Sequence, residues 1–168
     1  KKVNPDVCFI FGVNLILNPL IGILPKYKIN LHLGLSPWYR GSATLFWPFY
    51  FLQPQFAGST THLIVEEADA GDIIHQDLPK LEYGDSIHEV GTKVVLKSCE
   101  SIIKIFKKLN SSGSLSISKQ KSSGRLFLTK DFHPSHLRLI YQAMEDKIVD
   151  MYLDGILDQK KPKIIIQF

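Results

Sequence analysis

The sequence predicts an α/β domain in which a mostly parallel sheet with an antiparallel edge is flanked by helices. The short apolar run Val7–Val13 is typical of a strand that is covered on both faces. A stretch with helical character (15–24) separates it from a second strand, Ile29–His32, and this spacing fits a βαβ crossover. Two further strands, Ser59–Val65 and Ile73–Lys80, are joined by a short acidic turn, which predicts antiparallel pairing.

The clearest helix is predicted over Ser86–Leu109. Ser86 and Glu89 fit a capping box, in which a hydroxyl and a carboxylate bond the free amides of the first turn. Apolar residues then recur at spacings of three and four, which predicts one buried face made of Val95, Cys99, Ile102, Phe106 and Leu109.

The remaining segments are assigned from shorter patterns. The aromatic stretch 42–52 is predicted to be helical. Residues 114–128 alternate on both sides of Ser122-Ser123-Gly124, which predicts a hairpin. A second amphipathic helix is predicted from Pro134 to near Gly155. We therefore expect a catalytic core over residues 1–110 and a carboxy-terminal extension of hairpin and helix over 111–168.

Composition excludes several classes of protein. The 168 residues are 45% hydrophobic and 21% charged, which is typical of one globular domain and excludes whole-chain disorder. A run of 18 apolar residues is lacking, so no membrane-spanning helix is expected. The two cysteines, Cys8 and Cys99, are too few for a disulfide framework or a zinc site and fit free thiols in the cytoplasm. The six scattered histidines lack paired ligand spacing, so no metal is implied.

Positive charge is concentrated in one segment. Residues 97–130 contain eight Lys or Arg and a single acidic residue, Glu100. A solvated helix end with a loop accounts for this pattern, and a surface for an anionic partner is the alternative. The segment lacks aromatic interleaving, so nucleic-acid binding is not favoured.

Three polar side chains stand where chemistry is possible. Asn30 and His32 are at positions i and i+2 of a strand end, so they face the same way and offer two donors for an oxyanion. Asp69 lies in the turn that follows the next strand. Structural histidine and turn-forming aspartate are the alternatives. Because no nucleophile motif is present, the set favours acid–base chemistry in the transfer of an acyl-like group.

The ordered set of motifs resembles the formyltransferase superfamily. It consists of Asn30-Leu-His32, Leu35-Ser-Pro37, Tyr39-Arg-Gly41, Thr61-His62 and Asp69-Ala-Gly-Asp72-Ile-Ile74. The resemblance implies a partial Rossmann-like domain that lacks its amino-terminal strands and that uses 10-formyltetrahydrofolate as co-substrate.

The resemblance also implies roles for individual residues. Asn30 would hold the formyl oxygen, and His32 would assist it and help protonate the leaving folate nitrogen. Asp69 would accept the proton of the attacking amine and keep His32 charged or oriented. The co-substrate would contact Gly12, Asn14, Leu15, Ile16 and Leu17 on one side and Val65, Ala68 and Gly71 on the other. Acceptor binding would involve Arg40, Gly41, Trp47 and His62. For Arg40-Gly41, a phosphate contact or a surface pair is the alternative. For Trp47 and His62, the alternative is a role in the core.

One departure from the family pattern bears on the acceptor. The family commonly has His-Pro-Ser-Leu-Leu-Pro, and here the serine position is Gly34. This departure favours an amino-sugar nucleotide as the acceptor. Methionyl-tRNA or glycinamide ribonucleotide as acceptor, hydrolysis of 10-formyltetrahydrofolate, and non-catalytic folate binding are the alternatives. An incomplete sheet would expose an apolar edge, which predicts homo-oligomers or poor solubility.

Overall fold

Four strands form the main sheet of the computed structural model, which describes residues 4–121 and 124–168. The strands of the chain are β1 (Val7–Phe11), β2 (Tyr27–His32), β3 (Tyr39–Gly41), β4 (Ser59–Leu63), β5 (Ile73–Asp77) and β6 (Arg125–Phe127). The α-helices are α1 (Leu20–Ile23), α2 (Trp47–Tyr50), α3 (Ile87–Ser112) and α4 (Ile148–Leu153). The sheet order is β1-β2-β4-β5, and β3 and β6 form a separate two-stranded sheet.

The α/β fold with a mixed sheet and flanking helices is confirmed. β1 and β2 are parallel, as the crossover predicts, and β4 and β5 are antiparallel. β2 also pairs antiparallel with β4. Among the described residues, one of the three strand pairings of this sheet is parallel and two are antiparallel, so the prediction of a mostly parallel sheet is wrong. The long connection between β2 and β4 reverses the chain before β4 enters the sheet.

The crossover is less helical than predicted, and β1 is less buried. α1 begins directly after Pro19, whose ring is not compatible with a helix running through it from residue 15. Phe9 and Phe11 are 40% and 52% exposed, so β1 is not covered on both faces by the described residues. The predicted helix over 42–52 is also reduced to the single turn α2.

The long helix α3 is confirmed, but its buried face is offset from the predicted one. Ser86 is the N-cap, and both bonds of the capping box with Glu89 are formed. Val95 and Cys99 are exposed. Ile102 is buried as predicted, and the other buried positions of the helix are Ile87, Val90, Val94, Ser98, Ser101 and Ile105. Two buried serines interrupt the apolar pattern of this face, and the sequence therefore favours a neighbouring stripe.

The carboxy-terminal part differs most from the prediction. Ser122 and Ser123, the centre of the predicted hairpin, lie outside the described residues. The two flanking segments pair elsewhere: Ser118 bridges to Ile73, and β6 pairs in parallel with β3. The predicted helix after Pro134 is divided into a 3-10 turn, a π-helical segment (139–143) and α4. Glu145 and Asp146, both with positive φ, interrupt it.

Two apolar clusters position the site. One lies between the sheet and α3 and contains Ile29, Ile74, Ile102, Ile105 and Leu115. The other joins α2, β6 and α4. In it the Trp47 and Phe127 rings stack with their centroids 4.6 Å apart, and Ile148 and Val149 are fully buried. β6 is thereby held against β3, at the edge of the site.

Candidate active site

A cavity of about 390 Å³ opens beside β2 and β4. Its walls come from the segments that follow β1 and β4, from β2, and from the region around β6. They include Ile10, Val13, Asn14, Leu15, Ile16, Asn30, Gly41, Ser42, His62, Ile64, Val65, Glu67, Ala68, Asp69, Leu126, Phe127, Leu128 and Thr129. Much of this lining is aliphatic, and the Asp69 carboxylate within it is in contact with Asn30 and His62.

The three side chains predicted to be catalytic meet at that carboxylate. His32 Nδ1 lies 3.3 Å from Asp69 Oδ2, and Asn30 Nδ2 lies 3.5 Å from Asp69 Oδ1. Asn30 and Asp69 line the cavity, whereas His32 lies behind them and is 7% exposed. The i, i+2 spacing on β2 therefore directs both side chains to one group, as expected for a strand.

Hydrogen bonds to its carboxylate and to its backbone carbonyl hold Asp69 in place. Its φ of 49° lies in the left-handed region, which Asp tolerates better than most side chains do. The Gly41 N–H donates to Oδ2 at 2.9 Å, and the Ser36 hydroxyl donates to the Asp69 carbonyl at 3.3 Å. Gln120 Nε2 donates to the carbonyls of Asp69 and Gly71 at 2.9 and 2.8 Å. Gln120 was not anticipated, since nothing in its local sequence links it to residues some fifty positions earlier.

Gly41 and Gly34 are close-approach positions. A Cβ on Gly41 would collide with the Phe127 carbonyl, and its φ is 93°. A Cβ on Gly34 would collide with His32 Nε2 and lie 2.6 Å from Thr44 Cβ. The small residue at position 34 therefore leaves the space that the His32 ring occupies.

The hydrogen bonds of His32 define its tautomer. Nε2 lies 3.0 Å from the Tyr39 carbonyl, which can only accept, so Nε2 carries a hydrogen. In the neutral ring Nδ1 then has no proton and faces the Asp69 carboxylate. Burial lowers the pKa of His32 below its ordinary value, and the charge of Asp69 opposes that shift. The neutral ring is thus favoured in the folded protein.

The Asp69 carboxyl is stabilised as the anion. Burial by itself raises its pKa, but His62 and His32, which attract the carboxylate when their rings are protonated, and the Gly41 amide, which donates to it, outweigh burial and hold the pKa below the usual value. A neutral imidazole beside an ionised carboxylate forms a pair that is able to take up one proton.

His62 is the fourth polar member of the site. Its Nε2 lies 3.2 Å from Asn30 Nδ2 and 3.4 Å from Asp69 Oδ1, and its Nδ1 lies 2.8 Å from the Leu63 carbonyl. The β2–β4 register places His62 directly opposite Asn30. His62 lines the cavity, as its predicted role in acceptor binding requires.

Of the other residues predicted to bind the acceptor, one lines the cavity and two lie behind its walls. Gly41 lines the cavity, but Arg40 is buried and donates from Nη1 to Glu67 Oε1 at 2.8 Å. Trp47 is packed in the aromatic cluster, where its indole N–H donates to the Ser42 carbonyl at 2.9 Å. Neither Arg40 nor Trp47 lines the cavity, so the structure places both as supports of its walls.

Five of the eight predicted co-substrate contacts line the cavity, and they come from two segments of the chain. Asn14, Leu15 and Ile16 follow β1, and Val65 and Ala68 follow β4. Gly12, Leu17 and Gly71 do not belong to the lining. Gly71 instead packs against the Leu63 carbonyl, where a Cβ would collide.

Sequence reasoning missed one wall entirely. Residues 126–129 line the cavity although they lie in the predicted extension. Their alternating pattern was a signal of a strand, but it does not identify β3 as the partner. Among residues 4–121 and 124–168, no group of three or more His, Cys, Asp or Glu is arranged to hold a metal ion. Over the same described residues, no helix is both long and apolar enough to cross a membrane.

Comparisons with known proteins agree on one family. Residues 1–105 match the family model described as formyl transferase. A methionyl-tRNA formyltransferase from Clostridium botulinum is 33% identical over 138 residues, which cover 77% of this chain and 41% of that protein. The chain thus spans about two fifths of the length of this curated relative.

Solved structures show the same fold. The formyltransferase PseJ from Anoxybacillus kamchatkensis, in complex with a UDP-linked formamido sugar and tetrahydrofolate, has a TM-score of 0.69 at 23% identity, covering 86% of this chain and 75% of its own. WlaRD, a sugar 3N-formyl transferase studied in the presence of dTDP and 5-N-formyl-THF, has a TM-score of 0.61 at 26% identity, covering 76% of this chain and 46% of its own.

Proposed function

We propose that this chain, which belongs to the formyl transferase family, carries the part of an enzyme that transfers a formyl group from 10-formyltetrahydrofolate to a primary amine. The observation that carries the proposal is the convergence of Asn30, His32 and His62 on the Asp69 carboxylate at the cavity wall. An amide donor, a neutral imidazole and a carboxylate supply what amide formation requires without a covalent enzyme intermediate.

The reaction forms one C–N bond and breaks another. The amine nitrogen of the acceptor attacks the formyl carbon, and the formyl oxygen becomes an oxyanion. The Asn30 Nδ2–H donates to that oxyanion, since Asn30 lies in the cavity wall. The bond from the formyl carbon to N10 of the folate then breaks. The products are a formamide and tetrahydrofolate, and one proton moves from the amine to N10.

The His32–Asp69 pair carries that proton. Asp69 faces the cavity and accepts the proton as the amine nitrogen becomes cationic. His32 Nδ1, which is unprotonated in the neutral ring and 3.3 Å from Asp69 Oδ2, shares it. The pair then returns the proton to the leaving nitrogen. Because the two groups act as one unit, the proton belongs to the pair rather than to either residue.

The cavity fits a flat heteroaromatic ring. Aliphatic side chains line it from two segments, Leu15 and Ile16 after β1 and Val65 and Ala68 after β4. Such a lining favours stacking and backbone hydrogen bonds, which suit the pterin of a folate. The volume of about 390 Å³ accommodates a ring system of this size beside the Asp69 carboxylate.

The acceptor is proposed to be an amino-sugar nucleotide. Two observations support this choice. Gly34 replaces the serine that is common in the family, and the His32 ring occupies the space that it leaves. WlaRD, at 26% identity, is a sugar 3N-formyl transferase.

Methionyl-tRNA is the second candidate acceptor. It is favoured by the identity of 33% to the methionyl-tRNA formyltransferase from Clostridium botulinum. The basic segment 97–130 would supply phosphate contacts in that case.

A panel of acceptors tests the proposal. The protein is incubated with 10-formyltetrahydrofolate and either UDP- or dTDP-linked amino sugars, methionyl-tRNA or glycinamide ribonucleotide. Release of tetrahydrofolate is followed by absorbance and formamide formation by mass spectrometry. We expect formamide only with an amino-sugar nucleotide. Formylation of methionyl-tRNA alone would identify methionyl-tRNA as the acceptor in place of the amino sugar. Formate release without an amine would indicate a hydrolase. Folate binding with no turnover would indicate a non-catalytic binding module.

A further inference from the structure

We propose that His62 is a positioning residue that fixes the orientation of the Asn30 amide by accepting a hydrogen bond from Asn30 Nδ2 at its own Nε2. The inference rests on the proposed function for its catalytic consequence, but the hydrogen bond itself is testable without any substrate. It replaces the predicted contact of His62 with the acceptor by a contact with the group that holds the formyl oxygen.

The bond to Leu63 determines which nitrogen of His62 is the acceptor. Nδ1 lies 2.8 Å from the Leu63 carbonyl, and because a carbonyl only accepts, Nδ1 carries the hydrogen. In the neutral ring Nε2 is therefore a lone-pair acceptor. It faces Asn30 Nδ2 at 3.2 Å, which is a normal distance for a hydrogen bond from an amide.

The same contacts define the amide orientation of Asn30. Nδ2 faces two acceptors, His62 Nε2 and Asp69 Oδ1, at 3.2 and 3.5 Å. A flipped amide would turn its carbonyl oxygen toward both and lose both bonds. One N–H of Asn30 is thus committed to this pair of acceptors, and the second remains for the formyl oxygen.

The backbone around His62 holds the ring at this position. The β2–β4 register sets Asn30 and His62 opposite each other, and a β-bulge between Thr61 and His62 interrupts the pairing with β5 at this residue. Bulges next to active sites commonly redirect a side chain. Gly71 packs against the Leu63 carbonyl, where no larger residue fits. The anchor of the His62 ring is therefore itself fixed by the loop that carries Asp69.

The other groups around the His62 ring are consistent with Nε2 as a hydrogen-bond acceptor. His62 is 3% exposed, and Asp69 Oδ1, at 3.4 Å from Nε2, is farther from that nitrogen than Asn30 Nδ2 is, at 3.2 Å. His32 is the nearest other ring, with centroids 6.5 Å apart, and it directs its own Nδ1 to the other oxygen of Asp69. The two histidines thus serve different partners around one carboxylate.

Two isosteric variants separate positioning from a structural role. In His62→Gln the amide oxygen reaches the place of Nε2 and still accepts from Asn30, but the donor to Leu63 is lost. In His62→Asn the amide N–H reaches the place of Nδ1 and still bonds Leu63, but the acceptor for Asn30 is lost. We expect His62→Gln to retain most of kcat and His62→Asn to lose about tenfold or more, since a misdirected oxyanion donor costs up to about 10²–10³ in rate.

The KM for the amine shows whether His62 binds the acceptor amine directly. We expect it to change little in either variant. The reverse order of kcat, with Asn better than Gln, would overturn the proposal in favour of a structural anchor. A raised KM at unchanged kcat would overturn it in favour of direct acceptor binding.

A spectroscopic measurement tests the hydrogen bond in the wild-type chain. Nitrogen-15 imidazole spectra, assigned with His62→Gln, should show His62 with a protonated Nδ1 and an unprotonated Nε2 whose resonance shifts in Asn30→Ala. A hydrogen on Nε2, or no response to Asn30→Ala, would overturn the proposal. A wild-type chain that forms no formamide would contradict the proposed function alone, because the spectra decide the His62–Asn30 bond independently.

Discussion

His32 and His62 each donate one ring N–H to a backbone carbonyl and turn the other nitrogen toward Asp69. The assigned hydrogens are opposite, on Nε2 of His32 and on Nδ1 of His62. Both nitrogens that face the carboxylate are consequently unprotonated in the neutral rings. The site at rest is therefore rich in hydrogen-bond acceptors, which suits the uptake of a proton in the proposed reaction.

The buried His32 ring should make the stability of the fold depend on pH. Burial lowers the pKa of His32, so near its ordinary pKa the unfolded chain binds a proton that the folded chain does not. The free energy of unfolding should therefore decrease as pH falls below about 6.5, by up to about 1.4 kcal/mol per pH unit from this residue. His32→Gln, whose amide N–H still reaches Tyr39, should show a flatter dependence in urea titrations between pH 7 and 5. An equal slope in both proteins would contradict the neutral buried ring.

The absence of a side chain at Gly34 should be required for the packing of the His32 ring. A methyl group there collides with His32 Nε2 and Thr44, so Gly34→Ala should lose about 1–3 kcal/mol of stability and displace the ring. Gly91→Ala is the matched control. Its Cβ would lie 3.9 Å from Leu45 within α3, and replacement of a mid-helix glycine should stabilise by up to about 1 kcal/mol. Thermal unfolding of both variants measures the difference. Equal stability for the two would contradict the close packing at His32.

At the scale of elements, α3 was predictable at its start and only in part along its face. The Ser86 and Glu89 capping box is a local signal, and both of its bonds form. The face was assigned from hydropathy, and the buried serines obscured it. Ser98 bonds Ser59 at 2.6 Å and Ser101 bonds Asp77 at 2.8 Å, and these partners lie on distant strands.

Adjacent valines of α3 test the observed face. Val94 is fully buried and Val95 is 38% exposed. Val94→Ala should lower the free energy of unfolding by about 2 kcal/mol, because buried methyl groups and their packing are lost. Val95→Ala should change it by less than about 0.5 kcal/mol. Chemical denaturation of the two variants compares them directly, and a larger loss in Val95→Ala would support the face first predicted from the sequence.

The pairing of β3 with β6 shows where sequence reasoning fails. Each strand has three residues, and 83 residues separate their ends, so no local pattern identifies the partner. The pairing nevertheless forms one wall of the site, because Gly41 and Phe127 approach so closely that a Cβ on Gly41 does not fit. By contrast, Asn30, His32 and Asp69 were predictable because their order matches a family pattern, not because any one of them is distinctive.

The segment on and after β1 carries a set of exposed apolar side chains. They are Phe9, Phe11, Val13, Leu15, Leu17, Leu20 and Ile23, each at least 40% exposed. Exposed apolar side chains in this number favour association. The segment also borders the cavity, since Val13 and Leu15 line it.

Sedimentation velocity tests this association. The chain should form oligomers or aggregates at tens of micromolar, because burial of these side chains removes apolar area from water. Ile23→Lys, at a position that is 78% exposed, should weaken the association. Ile156→Lys, at a 66% exposed position after α4, should leave it unchanged. A monomeric wild-type chain would contradict the prediction.

Formyl transfer by the wild-type chain, measured beside Asp69→Asn and Asp72→Asn, tests whether the Asp69 carboxylate carries the proton. Asp72 lies in the same turn, but its carboxylate pairs with the exposed Lys119 at 2.9 Å and does not line the cavity. We expect acceptor-dependent release of tetrahydrofolate that falls by about 10²–10⁴ in Asp69→Asn and stays near wild type in Asp72→Asn. Equal activity in Asp69→Asn and the wild type would contradict the account.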